Sequence, residues 1–210
     1  MTWRDVASRA VASRVFTEVE RETELALVRR LKQGDGASFD LVYDGFRPRL
    51  FGFLVRLSRR RDVAEDLLAE TWLRLVSRSR TLADDTRLGP WLFTVARNLY
   101  YSYCRSRMCD DERVSELTCL WPAPERLESQ FDAVATGELE QRIERGLASL
   151  PLREREALLL VAVEGLAPCE AAAVCGVTPD ALRQRLSRAR AALRRKLGGD
   201  AGTHEEGERR

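Results

Sequence analysis

The feature that most constrains this chain is a helical apolar period that runs through two long blocks and lapses between them. In the first block Leu25, Val28 and Leu31 recur at three-residue steps and stop at "QGDG". Phe39, Tyr43 and Phe46, then Leu50, Phe53, Leu54 and Leu57, keep a 3.6-residue period with Pro48 interrupting it. "DVAEDLLAETWLRLVSRS" carries a stripe of Leu68, Trp72 and Leu75, and Asp66, Glu70 and Arg74 lie four apart along another face. "LGPWLFTVARNLYYSYCRSR" begins with Pro90 suited to a first helical turn. The second block has at least four helical pieces, with breaks at Pro151 and Gly165. Between the blocks stand Pro122, Pro124, Gly137 and an acidic run, with transient helix expected only near 125–134. Strand signals are weak throughout.

The expected fold is therefore all-α, with two small helical domains joined by a flexible linker. The divisions are 1–20 as an extension, 21–108 as the first domain and 109–137 as an acidic linker. Residues 138–197 form the second domain, and 198–210 a disordered tail.

Charge distribution says more than the net charge of +2. Residues 177–197 hold seven Arg and Lys against one Asp; residues 87–107 hold four Arg and no acid; residues 109–137 hold seven acids against two Arg. Two basic regions flanking an acidic stretch suit two surfaces for a polyanion, although arginine runs also merely solvate helices. No stretch reaches membrane-spanning length and the start lacks a signal-peptide pattern, so the expectation is a cytoplasmic protein without membrane insertion.

Metal and redox chemistry fare poorly. The five cysteines follow no framework spacing, so free, mostly buried packing thiols are expected. Cys169 and Cys175 lie six apart with no histidine near, and the single His204 is in the tail. No nucleophile–base pair stands out either. Neither a metal, a cofactor, catalytic residues nor an enzymatic activity is expected.

"GLAPCEAAAVCGVTPDALRQRLSRAR" offers a different chemistry. Thr178 can cap the second helix, Pro179 fits its first turn, and Asp180 complements the helix dipole. Leu182, Leu186, Ala189 and Leu193 face inward. Arg183, Gln184, Ser187 and Arg188 are left outward, with Arg185 and Arg190 flanking. The alanine-rich helix before it lets another helix approach closely, and "CGVT" has the length and the glycine of a helix-turn-helix turn. Such a helix can place polar side chains on base edges and arginines on phosphates. A plain packed hairpin has the same pattern.

Residues 87–107 interleave aromatics with Arg87, Arg97, Arg105 and Arg107, a composition suited to unpaired bases. Trp91, Val95 and Leu99 read as core. Asn98 and Tyr101 are the candidates for exposed contacts, and the loop "RSRTLADDTRLG" could hold a displaced base. Asp66 and Glu70 suit a basic partner surface or ordinary ion pairs.

In combination these stretches resemble one family. Residues 22–197 are similar to group 4, extracytoplasmic-function (ECF) bacterial sigma factors, the dissociable promoter-specificity subunits of RNA polymerase. "GDGASFDLVYDGFRPRLFGFLVRLSRRRDVAEDLLAETWLRLV" with "GPWLFTVARNLYYSYCRSR" carries the region 2 likeness. "LASLPLREREALLLVAVEGLAPCEAAAVCGVTPDALRQRLSRARAALRRKL" carries that of region 4.

The resemblance implies contacts of Asp66, Glu70 and Arg74 with the clamp coiled coil of bacterial core RNA polymerase. It implies −10 promoter DNA binding by Arg97, Asn98, Tyr101 and Arg105, with Arg97 also able to act mainly as a fold support. It implies −35 reading by Thr178, Asp180, Arg183, Gln184, Ser187, Arg188 and Arg190, and docking of the second domain on the polymerase flap. The linker would thread near the active-centre and RNA-exit channels, and an anti-sigma factor is an implied regulatory partner.

Two departures stand out. Ser102 occupies a position often acidic in the family, and "APCEAAAVCG" replaces a pattern like "SYEEIAEILG" while keeping Glu170. The first helix of the helix-turn-helix is thus expected to sit closer to its neighbours, or the module to be less stable. The alternatives are a helix-turn-helix regulator of duplex operators and a sigma mimic that sequesters a regulator. The first has no use for the "EDLLAETWLRL" helix, and the second none for the arginines at 183, 185, 188 and 190.

Overall fold

The computed structural model describes residues 18–110 and 137–199, and every regular element among them is helical. The extension up to residue 17, the linker core 111–136 and the tail from residue 200 lie outside the described residues.

The first module comprises α1 (Glu18–Lys32), α2 (Gly36–Ser58), α3 (Arg61–Arg78), a 3₁₀ turn (Ser79–Thr81) and α4 (Leu88–Asp110). Gly34, at φ +80°, turns the chain out of α1. The Asp35 carboxylate then caps α2, accepting from the Ser38 N–H at 3.2 Å. That helix runs unbroken through Pro48, where the sequence pattern suggests an interruption. Phe53 and Phe93 meet edge to face at 5.3 Å, and Leu50, Leu54, Leu57, Leu75 and Leu92 are fully buried around them. Trp72 packs against Phe39 and Tyr43 at centroid distances of 6.1 and 4.9 Å.

The second module comprises α5 (Glu138–Ala148), α6 (Leu152–Leu158) with a π turn (Leu159–Val163), α7 (Pro168–Cys175) and α8 (Pro179–Gly199). Gly146 sits where α5 meets α8; a Cβ there would lie 2.5 Å from Leu193 Cδ1, so the helices approach through the missing side chain. The α7–α8 turn needs Gly176 in the left-handed region, at φ +63°.

The two modules pack against each other. Helix α7 lies on α4, with Ala171, Ala172, Val174 and Cys175 buried, and α6 meets α2. The small side chains of α7 are covered by two neighbours, α8 of its own module and α4 of the other. Glu156 and Glu164 of the second module are buried where they meet arginines of the first.

Removing an interlocked ring leaves a cavity that the helices close only partly. Phe53→Ala is expected to lower stability by about 3–5 kcal/mol, read as a fall in the midpoint of chemical denaturation relative to the unsubstituted chain.

Candidate nucleic-acid interface

Helix α8 divides its faces as the sequence predicts. Leu182, Leu186, Ala189 and Leu193 are buried, and Arg183, Gln184, Ser187, Arg188 and Arg190 are exposed. The Thr178 hydroxyl accepts from the Ala181 N–H at 3.2 Å, which fixes the start of the helix. Asp180 pairs with Arg183 on its outer surface. Arg185 is half-buried instead and turns its charge towards Cys175 and Glu156. The result is a supported helix with a polar, cationic face free of protein contacts from the other module.

Helix α4 carries two faces. Asn98, Ser102 and Arg105 are exposed, and the Arg105 guanidinium donates to the Ser102 hydroxyl at 3.3 Å. Asn98 and Ser102 line an open cleft of about 550 Å³. Its walls include Thr81, Ala83 and Thr86 of the loop before α4, together with Arg74 and Arg78 of α3. Trp91, Val95 and Leu99 also line it. All three are half-buried: Trp91 and Leu99 pack against the core as expected, and the outer edges of all three form the apolar wall of this cleft.

Arg97 and Tyr101 point the other way. The Arg97 Nε donates to the Glu156 Oε1 at 2.5 Å, its guanidinium lies 4.4 Å over the Tyr101 ring, and the Tyr101 hydroxyl donates to Glu156 Oε2 at 3.2 Å. Tyr101 is thus not the exposed contact that its place in a basic, aromatic run suggests. Burial pushes the Glu156 carboxyl above its ordinary range against the opposing effect of Arg97, and burial likewise raises the Tyr101 phenol.

On α3, Arg74 and Glu70 pair at 2.8 Å, Asp66 is exposed, and Leu73 and Val76 stand 63% and 57% exposed beside them. A charged strip next to uncovered apolar side chains suits a protein partner rather than solvent alone. Arg74 also reaches the cleft, so it borders both surfaces.

Sequence reading missed Arg155, Glu156 and Glu164. They sit in "LREREALLLVAVEG", where a charged residue on an amphipathic helix reads as solvated, yet each is at most 6% exposed. No spacing rule tells that a second module covers them.

Cys175 is buried, Cys104 half-buried and Cys169 exposed, so among the described residues the expectation of mostly buried thiols is corrected at Cys169. Among the described residues no cluster of His, Cys, Asp and Glu could hold a metal, and no helix is long and apolar enough to cross a membrane.

A supported helix-turn-helix and a basic, aromatic helix beside an open cleft are the features of a DNA-binding protein built from two helical modules. Family comparison agrees in detail. The model described as Sigma-70 region 2 matches residues 42–108, and that described as Sigma-70, region 4 matches residues 140–193. The chain is 35% identical over 146 residues to the ECF RNA polymerase sigma factor EcfG of Rhodopseudomonas palustris, covering 70% of this chain and 77% of that one. It is 30% identical over 171 residues to the RNA polymerase sigma factor CarQ of Myxococcus xanthus, covering 81% and 95%.

The sigma factor RpoE of Bartonella quintana, solved with the anti-sigma factor NepR, superposes with a TM-score of 0.62 at 30% identity over 77% of this chain and 98% of that one. The structure of CnrH with the cytosolic domain of CnrY shares the fold, with a TM-score of 0.61 at 22% identity over 84% and 98%. The chain belongs to the ECF RNA polymerase sigma factor family. Its function is to direct promoter-specific transcription initiation, and members of that family are non-catalytic regulatory subunits.

The two thiols of α7 should differ sharply. Burial pushes the Cys175 thiol up to about 12, which leaves almost no thiolate at pH 8. Alkylation of the folded chain at pH 8, followed by peptide mass spectrometry, is expected to modify Cys169 at least about a hundredfold faster than Cys175. Denaturant should abolish the difference.

Proposed function

We propose that the first module engages the polymerase clamp and the melted −10 element, and that the second reads the −35 element as duplex. The carrying observation is the division of α8: its apolar side is wholly used by the module, while Arg183, Gln184, Ser187, Arg188 and Arg190 are exposed on the other. Thr178 and Asp180 belong to this reading surface as its cap and its first-turn anion. Arg183 exchanges its ion pair with Asp180 for a base edge or phosphate on binding.

In the first module Asn98 is the principal −10 contact, with the cleft beside it receiving an unstacked base between apolar Trp91 and the loop residues Thr81 and Thr86. Arg105 follows the backbone on the same face. Arg97 and Tyr101 join the DNA surface only when α6 has moved away from them. The strip of Asp66, Glu70 and Arg74, with Leu73 and Val76, is the clamp contact. The acidic linker threads the polymerase channels, the second module docks on the flap, and the site of action is the cytoplasm. The chain has no catalytic role of its own and needs no cofactor. An anti-sigma factor is its regulator, by likeness to the Bartonella quintana sigma factor that was solved with one.

The test is transcription reconstituted from core polymerase, this chain and a broad promoter library. Initiation at a defined promoter class is expected; core binding with no initiation on any template would count decisively against the reading. Two substitutions then separate the surfaces. Arg183→Ala should weaken −35 duplex binding by about 1–3 kcal/mol with relaxed preference at one base position, whereas a uniform loss across sequences would make it a phosphate contact. Asn98→Ala should reduce open-complex formation while leaving binding to the −35 duplex unchanged.

A further inference from the structure

The cleft beside Asn98 has a helical side, from α3 and α4, and a loop side, from Thr81, Leu82, Ala83 and Thr86. A base edge is read only where its contacts are held to within about 0.5 Å. A loop reaches that precision when something outside it fixes its place. Within this loop the bonds are short-range: the Leu82 N–H donates to the Ser79 carbonyl at 3.3 Å, and the Thr86 N–H to the Ala83 carbonyl at 3.1 Å. They shape its turns without setting its position. The buried Leu82 side chain anchors the first half. The second half needs another anchor.

That anchor is α1, a helix that supplies no residue to the cleft walls. Arg21 donates to the Asp85 carbonyl at 2.7 Å, and Lys32 pairs with Asp84. Glu24 holds two further positions at once. Its Oε1 accepts from the Leu88 N–H at 2.8 Å, and its Oε2 pairs with Arg87 at 3.2 Å and with Arg21 at 2.7 Å. The Leu88 N–H is one of the orphan donors at the start of α4, so this carboxylate caps one helix from another. Thr86, on the cleft wall, thus sits between anchored neighbours. The Trp91 N–H then donates to the Arg87 carbonyl at 3.0 Å, which joins the same anchor to the apolar wall. Burial separates the ties: the Glu24 side chain is 15% exposed, whereas that of Asp84 is 74% exposed and its ion pair is screened by water. Val28 and Leu31, both buried, fix α1 itself.

We infer that Glu24 is a positioning residue for −10 recognition: from α1 it holds the loop wall against which an unstacked base is read, and so sets base preference without touching the base. The inference rests on the reading of the cleft given above. Without this carboxylate the Leu88 N–H loses its acceptor, and Arg21 and Arg87 lose the anion they share. Arg87 keeps only Glu170, at 3.2 Å, and Arg21 only the Asp85 carbonyl. The loop wall then shifts relative to Asn98, while the helical wall stays in place.

Two measurements on the full chain test this. Hydrogen exchange read by mass spectrometry follows the loop without polymerase. Open-complex formation with core polymerase, on templates varied at each −10 position, follows base preference. Glu24→Ala should speed exchange across 84–88 by about tenfold or more, with the α2 amides unchanged. It should also cut the preference for the best base over the next at one −10 position by about fivefold, with −35 duplex binding unaltered. Glu24→Gln keeps an acceptor for the Leu88 N–H and loses only the charge. It should give smaller changes of the same sign, and it carries the test should the alanine variant unfold. A Glu24 that merely supports the fold would lower initiation on every template by one common factor. That result, or loop exchange that does not change, overturns the inference. If no form initiates on any template, the sigma reading fails instead, and exchange alone then decides whether Glu24 holds the loop.

Discussion

A carboxylate with no exposure to water has to be neutralised or paired, and Glu156 is such a group. Its partners, Arg97 and Tyr101, lie on a helix of the other module, so satisfying one side chain fixes the position of two domains. Glu164 repeats the arrangement with Arg49, and Arg155 repeats it in reverse by capping the carbonyl end of α2. Breaking a buried pair by removing one partner is costly because the other charge is stranded, while the intact pair contributes little net stability. Such contacts are thus better at choosing a geometry than at strengthening it. Packing of α7 on α4, with Ala171, Ala172, Val174 and Cys175 buried, supplies the apolar part of the interface.

Most of the fold was legible because helices report their own periods. The stripes Leu50–Phe53–Leu54–Leu57 and Leu182–Leu186–Ala189–Leu193 are buried as their spacing requires, and the helix-turn-helix with its glycine turn falls where the sequence places it. Pro48 misled because a proline costs one hydrogen bond and some bending, which a long helix with a well-buried stripe can absorb. Trp91, Val95 and Leu99 were legible only in part, since Trp91 and Leu99 do pack against the core but all three also line the cleft. A four-residue apolar step marks a face and does not say whether a loop covers it; here the loop 79–87 stands off and leaves a cleft.

The charged residues of α6 were the least legible. In "LREREALLL" nothing distinguishes Glu156, with no exposure, from Glu154, which is half-exposed, because the distinction is made by Arg97 some sixty residues earlier in the chain. Local sequence carries local periodicity. The matching of a lone buried charge to a lone distant arginine is a tertiary fact, and the four-for-four ordering of arginine and glutamate across the interface becomes visible only once the modules are placed together.

Helix α4 carries two faces, one turned to the second module and one to the cleft. Asn98, Ser102 and Arg105 follow four- and three-residue steps and share the cleft side, while Arg97 and Tyr101, one position earlier at the same step, fall about 100° away and share the docking side. The two faces touch at one point, where the Arg97 guanidinium donates to Asn98 Oδ1 at 3.3 Å. The helical period, which first defined the two blocks, also keeps the residues that meet the second module and most of those that line the cleft on different sides of the same element.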